Sequence, residues 1–255
     1  MSDYDRYANS RYGAGIARSG AAVDQGLRAY MIGVYNYMTL GLGVTGLVAY
    51  AAFALGTVQV GDGRLRLTEF GHALYVSPLR WLIVLSPLAI VFWISARINS
   101  MSVASARNWF IAFAALIGLS MSALLVVYTG ASIGRAFFAT AAAFACLSLY
   151  GYTTQRSLSA MGSFMMMGVF GLIIASLINL FLQSSGLQWA LSVICVIVFA
   201  GLTAWNTQSI KEMYFAADGY EVAQKKSISG ALSLYLNFIN MFQAILMLTG
   251  SQRNN

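Results

Sequence analysis

The polar side chains that could do chemistry inside the long apolar runs of this sequence are neutral. Asn237 and Asn240 are three residues apart and share one face of a helix, while Thr203, Asn206 and Thr207 form a second polar stripe. Amide and hydroxyl groups can join helices by hydrogen bonds, or they can line a polar path or gate through a membrane. Spacing alone favours helix packing and leaves the path as the alternative.

The residues needed for hydrolysis are missing from these runs. The one histidine, His72, lies between two runs, and the sequence has neither a His-Glu-x-x-His motif nor a pair of intramembrane aspartates. A serine hydrolase of the membrane interior would need a buried histidine as its base. Cys146 and Cys195 are interpreted as small hydrophobic residues. We therefore expect no enzyme activity and no cofactor.

The composition indicates an integral membrane protein. Hydrophobic residues make up 59% of the 255 residues and charged residues only 9%, whereas a soluble domain has about 25% charged residues. A net charge of +7 could indicate nucleic-acid binding in a soluble protein. Here the charges lie between the apolar runs, where they orient a chain in a bilayer. We therefore expect contact with lipid and none with nucleic acid.

Seven apolar runs without an internal charge predict seven transmembrane helices, because a helix satisfies its own backbone hydrogen bonds in lipid. Alternating polarity on both sides of Gly61-Asp62-Gly63 predicts a β-hairpin after the first of them. One membrane domain, residues 29–249, is expected between a flexible N-terminal tail, residues 1–28, and a C-terminal tail, residues 250–255. The predicted spans are roughly 29–55, 79–96, 109–128, 132–150, 164–182, 187–206 and 230–248.

The distribution of lysine and arginine predicts the orientation. With the N-terminus inside, ten of the 15 basic residues lie on the inner side and five on the outer side, as the positive-inside rule favours. We therefore expect a cytoplasmic N-terminus. Seven full spans would place the C-terminus outside, unless the polar last segment enters the membrane and returns on the same side.

Several separate motifs, in a consistent order, extend over nearly the whole chain. They are Gln25–Tyr30, Val34–Met38, Val127–Ser132, Ser148–Thr154, Met161–Phe164, Gly201–Tyr214 and Gly230–Phe242. Together they resemble the bacterial branch of the Bax inhibitor-1 family, also called the transmembrane Bax inhibitor motif family. Only the region near residues 57–75 departs from the resemblance.

The resemblance implies an all-α membrane fold of seven helices, with the last helix surrounded by the other six, in a bacterial inner membrane. It also implies a pH-sensitive calcium leak in at least some members. The sensor of such members is a pair of aspartates on the sixth and seventh helices, which share a proton. An arginine on the second helix can latch onto that pair, and Arg97 is the candidate here.

This sequence departs from the family pattern at both aspartates. Asn206 stands in the Asp-Thr-Gln motif, and Asn237 stands at the second aspartate. Asparagine does not titrate in this range and offers calcium only a neutral carbonyl oxygen. We therefore expect weak calcium binding by Asn206 and Asn237 and no pH switching. The expected path or gate is lined by Asn206, Asn237, Asn240 and Thr203.

Two functions stay open at this point. The first is a cation leak, with calcium as the candidate transported ion. The second is regulation of a membrane-anchored AAA protease without transport, because some bacterial relatives are associated with restraining such a protease. In that case the N-terminal tail and the loop from Lys211 to Ser229 would form the contact surface. The sequence does not indicate an oligomeric state.

Overall fold

The computed structural model describes residues 3–60, 64–98 and 100–253, and their side chains from Gln25 onward except that of Arg64. Within these ranges the chain forms eight helices and one two-stranded sheet. The helices are α1 (Asp3–Gly56), α2 (Glu69–Tyr75), α3 (Leu79–Arg97), α4 (Val103–Val127), α5 (Gly130–Thr153), α6 (Ser159–Leu182), α7 (Ser185–Glu212) and α8 (Tyr220–Thr249), and the strands are β1 (Thr57–Val60) and β2 (Arg64–Leu67).

Seven helices are long and apolar enough to cross a membrane: residues Gln25–Gly56 of α1, and the whole of α3 to α8. The seven predicted spans are thereby confirmed. Most helices extend beyond the predicted bounds, because polar residues cap their ends. The side chains of Ser102, Thr129 and Ser184 each accept a hydrogen bond from a backbone N–H three residues later. The flexibility of residues 1–28 and the division into tails and membrane domain stay predictions.

The predicted β-hairpin is present between α1 and α2. Strands β1 and β2 pair antiparallel, with Thr57 opposite Leu67. The Thr68 side chain then caps α2 by accepting a hydrogen bond from the Gly71 N–H at 3.0 Å. At the other end of α2, the Tyr75 hydroxyl donates to Ser122 Oγ of α4 at 3.0 Å. The hairpin and α2 therefore form a small unit that is attached to the ends of α1 and α4.

The last helix, α8, lies inside the bundle, as predicted. It is the most buried of the seven spans, and α6 is the least buried. Its principal neighbours are α1, α4, α5 and α7, while α3 packs on the outside of α4 and α6 on the outside of α7. At the centre, Tyr235 of α8 shares a hydrogen bond of 2.6 Å with Thr45 of α1. The rings of Phe110 and Phe113 meet the Tyr235 ring edge-on.

Two glycines set the spacing of helix pairs around α8. A Cβ atom on Gly118 of α4 would lie 2.5 Å from the Thr45 carbonyl oxygen of α1. A Cβ atom on Gly151 of α5 would overlap the Ala204 carbonyl oxygen of α7. Small residues let helix backbones approach closely in a bilayer, where no hydrophobic force drives helices together. The Gly151 contact brings α5 against α7, where the polar residues described next are found.

Candidate functional site

A chain of hydroxyl groups connects α1, α5 and α7 inside the bundle. Tyr35 Oη of α1 shares a hydrogen bond of 2.5 Å with Ser148 Oγ of α5. Ser148 Oγ lies 3.1 Å from Thr207 Oγ1 of α7, and Thr207 donates to the Thr203 carbonyl at 2.8 Å. Ser148, Thr203 and Thr207 are buried. The interior thus contains a continuous polar connection without a charged group.

Asn237 of α8 leaves a hydrogen-bond donor unpaired in the interior of the bundle. Its side chain is 4% exposed, and its Nδ2 has no acceptor among the described residues. Two contacts set the register of α8 on α7. Ile210 lies beside Gly230, and Cys195 Sγ lies 3.9 Å from the Asn240 carbonyl oxygen. These two contacts place Asn237 opposite residues 198–203 of α7, and its Nδ2 is available to an acceptor in the interior.

Asn206 is not hydrogen-bonded to Asn237. It is half-buried and lies four residues before Ile210, on the side of α7 that faces α8. It is about one helical turn further than Thr203 toward the α7–α8 connection. The two asparagines at the family's aspartate positions thus occupy facing helices at different depths.

Asn240 belongs to a different surface. It lies on a groove of about 770 Å³ between α6, α7 and α8, together with Gln243 and Ser192. Asn240 Nδ2 donates to the Leu236 carbonyl of its own helix at 2.8 Å. Of the four residues predicted to line a path, Thr203 and Asn237 are buried in the interior, Asn206 lies one turn from Thr203 on α7, and Asn240 opens to this groove.

Arg97 makes no latch contact in this structure. It is exposed at the end of α3, and its guanidinium carbon lies 5.0 Å from the centre of the Trp93 ring. Helix α3 packs mainly on α2 and α4, so Arg97 is separated from Asn206 and Asn237. A latch in this chain would require a rearrangement of α3.

Gln208, the residue after Thr207 on α7, makes two hydrogen bonds that have a structural role. Its Oε1 accepts a hydrogen bond from the Leu158 N–H at 2.7 Å, and its Nε2 donates to the Arg156 carbonyl at 2.9 Å. Both partners belong to the connection between α5 and α6. The glutamine of the Asn206-Thr207-Gln208 sequence therefore holds that connection against α7, and the threonine enters the hydroxyl chain.

The candidate ligands for a cation at this site are neutral oxygen atoms. The described part of the chain contains no group of three or more histidine, cysteine, aspartate or glutamate side chains that could hold a metal ion. Calcium prefers six to eight oxygen ligands that include carboxylates. Binding of calcium by Asn206 and Asn237 stays a prediction, and the amide and hydroxyl oxygens present would hold the ion weakly.

Tyr35 and Ser148 are the site residues that the sequence analysis missed. Both occur in the quoted motifs, at the second residue of Val34–Met38 and the first of Ser148–Thr154. Each is a polar side chain within a charge-free run, which is a signal for contact between helices. Their contact joins residues that are 113 positions apart, and spacing within one helix carries no information about such a pair.

Comparison with known proteins finds one matching family and several relatives that match at nearly full length. The family described as "Inhibitor of apoptosis-promoting Bax1" matches residues 27–254. The uncharacterized protein RP147 of Rickettsia prowazekii is 43% identical over 91% of this chain and 93% of its own length. An uncharacterized protein of Caulobacter vibrioides is 39% identical over 99% of this chain and 100% of its own length. The inner membrane protein YbhL of Escherichia coli is 40% identical over 89% of this chain and 94% of its own length.

The family match extends from the first span to the end of the last helix and includes every residue of the hydroxyl chain. Relatives at about 40% identity match at nearly full length. The seven apolar helices, with the last one buried in the middle, are the fold that the motifs imply. The chain therefore belongs to the Bax inhibitor-1 family of membrane proteins.

Proposed function

We propose that this chain is a bacterial inner-membrane protein that lets cations leak slowly across the membrane without a pH switch. The similarity to an Escherichia coli inner membrane protein supports the location. The excess of basic residues on one side supports a cytoplasmic N-terminus. Calcium is the candidate ion because of the family relationship.

The observation that carries this proposal is the set of neutral polar side chains buried inside the bundle, namely Ser148, Thr203, Thr207 and Asn237. Tyr35 and Ser148 at one end of the hydroxyl chain line a cleft between α1 and α5. On the other side, Asn240 lines the groove between α6, α7 and α8. The buried section between these two openings contains Thr203, Thr207 and Asn237. A short buried polar section with an open cleft on one side and an open groove on the other is an arrangement suited to a narrow path.

The chemistry of this section explains why the leak is slow. A cation that enters a membrane must replace its hydration shell with protein oxygens. Carboxylates do this well, whereas the hydroxyl and amide groups here compensate only part of the cost of dehydration. The same groups do not titrate in the physiological range, so pH leaves the path unchanged.

Calcium-dye flux into proteoliposomes tests the path. Thr207→Val keeps the side-chain shape and removes the hydroxyl from the chain, so we expect flux to fall several-fold. Thr153→Val is the matched control, because Thr153 also donates to a carbonyl four residues earlier but is exposed at the end of α5. Equal flux through both variants would place the path elsewhere. No flux above empty liposomes for the unaltered protein would reject the leak altogether.

Regulation of a membrane-anchored AAA protease is the second candidate. Large hydrophobic side chains are exposed in the connection between α7 and α8, where Phe215 is 63% exposed, and at the first residue of α8, where Tyr220 is 77% exposed. Exposed aromatic residues outside a membrane span are suited to protein contact. Under this function, the protein co-purifies with the protease and Phe215→Ser/Tyr220→Ser weakens the association. Co-purification that is unaffected by this double substitution would exclude the connection as the contact.

A further inference from the structure

The cleft between α1 and α5 has a charged end and an apolar body. Its volume is about 610 Å³. Both helices pack on α8, but α1 with α5 is not among the substantial helix pairings of the described residues. Arg28 and Tyr152 lie at one end of the cleft, and Ile32, Ala145 and Leu149 line its walls. Because the gap is between two membrane spans, an occupant would come from the bilayer.

The depth of the cleft matches part of one lipid leaflet. Tyr35 lies seven positions after Arg28 on α1, which corresponds to about 10 Å along a helix. The hydrocarbon half of a bilayer is about 15 Å thick. At the deep end, Tyr35 and Ser148 bond to each other at 2.5 Å, so their hydroxyls are already paired. The apolar walls therefore favour a hydrocarbon chain over a polar ligand.

The charges at the open end favour an anion. Arg28 is exposed, and the ion pair found among the described side chains is a different one, between Lys226 and Asp218 at 2.5 Å. Lys211 adds a second positive charge beside the cleft. Its Nζ donates to the Tyr152 carbonyl at 2.8 Å and lies 5.2 Å from the centre of the Tyr152 ring.

We propose that this cleft binds one anionic phospholipid from the leaflet on the Arg28 side, which is the cytoplasmic leaflet according to the distribution of basic residues. The lipid phosphate lies at the Arg28 guanidinium, whose planar donors suit phosphate oxygens. One acyl chain lies between Ile32 on α1 and Leu149 on α5. Basic pockets between transmembrane helices bind anionic headgroups in this way. Lipid binding does not require conduction, but the cleft is also one opening of the proposed cation path, so a bound lipid would close that opening.

Native mass spectrometry of the detergent-solubilised protein, titrated with dioleoyl phosphatidylglycerol or dioleoyl phosphatidylcholine, tests the site. We expect the protein to retain one phosphatidylglycerol with about tenfold higher affinity than phosphatidylcholine, because one or two positive charges face the headgroup. Arg28→Gln should reduce phosphatidylglycerol affinity about tenfold and remove most of the discrimination. Arg107→Gln is the matched control, because Arg107 is an exposed arginine at the same predicted membrane face and does not line the cleft.

Filling the apolar body tests the acyl chain separately. Ala145→Trp and Ile32→Trp place an indole in the cleft from opposite walls, and both positions are exposed, so the fold should tolerate the change. We expect each variant to lose binding of both lipids. Retained phosphatidylglycerol binding by both variants, or an equal loss in Arg107→Gln and Arg28→Gln, would overturn the proposal. Competition by millimolar glycerol phosphate would also overturn it, because the site would then be an anion site without a lipid.

Discussion

The Ser148 hydroxyl oxygen of α5 lies 3.1 Å from the Thr207 hydroxyl oxygen of α7, in the interior of the bundle. The same serine oxygen lies 2.5 Å from the Tyr35 hydroxyl of α1. One small side chain therefore connects three spans. From Thr207 the polar connection continues to the Thr203 carbonyl oxygen of α7.

Ser148→Ala should destabilise the protein by about 1–3 kcal/mol, because it removes both hydrogen bonds and leaves the half-buried Tyr35 hydroxyl and the buried Thr207 hydroxyl with fewer partners. Thermal unfolding in detergent measures the change. Ser163→Ala is the control, since Ser163 is exposed and bonds only to the Ser159 carbonyl of its own helix. An unfolding temperature of Ser148→Ala equal to that of the control would show that the interior chain contributes nothing to stability.

Gly151→Ala should destabilise the protein by several kcal/mol, because the new methyl group would overlap the Ala204 carbonyl and force α5 away from α7. The same substitution at Gly171 meets nothing within 4 Å. Gly171→Ala should therefore be neutral, or should stabilise the protein by up to about 1 kcal/mol through helix propensity. Denaturation of the two variants side by side makes the comparison, and similar stabilities would contradict the close approach of α5 and α7.

The hydrogen bond from Tyr75 attaches α2 to Ser122 of α4, and this attachment should depend on pH. Burial raises the pKa of its phenol, and the hydrogen bond to Ser122 opposes part of that rise. The contribution of the neutral phenol to stability is fully present below about pH 10, the unfolded-state pKa. It is lost as the pH rises through the higher folded-state pKa.

Tyr75→Phe should therefore lower stability at pH 8 by about 1 kcal/mol, the contribution of one hydrogen bond. At pH 11 the difference from the unaltered protein should shrink, because the unaltered protein has then lost part of that contribution. Melting temperatures at both pH values measure this effect, with Tyr220→Phe, at a 77% exposed position, as the control. A difference that stays constant between pH 8 and pH 11 would show that Tyr75 does not titrate in this way.

The sequence predicted the seven spans and the hairpin because both follow from local patterns. Charge-free runs of about 20 residues indicate membrane helices, and the alternation around residues 61–63 indicates a turn. The predicted ends of the helices were less accurate. Helix α8 begins at Tyr220 and not near residue 230, and α7 continues to Glu212, because the helices extend past the apolar layer that defined the prediction.

The candidate site was predictable only in part. The asparagines and Thr203 stand out as polar residues in apolar runs, whereas the contact between Tyr35 and Ser148 depends on how distant spans pack. The family pattern pairs the positions of Asn206 and Asn237, yet these side chains form no hydrogen bond with each other. Two carboxylates that share a proton draw together, and two asparagines at these positions have no such interaction to bring them into contact.

We propose that this fold retains a cation path but lacks the titrating groups of the family pattern. Calcium-dye flux into proteoliposomes at pH 6 and pH 8 tests for such a path. The protein is compared with the Asn206→Asp/Asn237→Asp double variant, and with Asn108→Asp as a control for one added carboxylate at an exposed position on α4. We expect slow flux that is equal at both pH values for the unaltered protein and the control, and faster, pH-dependent flux for the double variant. A steep pH dependence in the unaltered protein, or no flux in any of the three, would contradict the account.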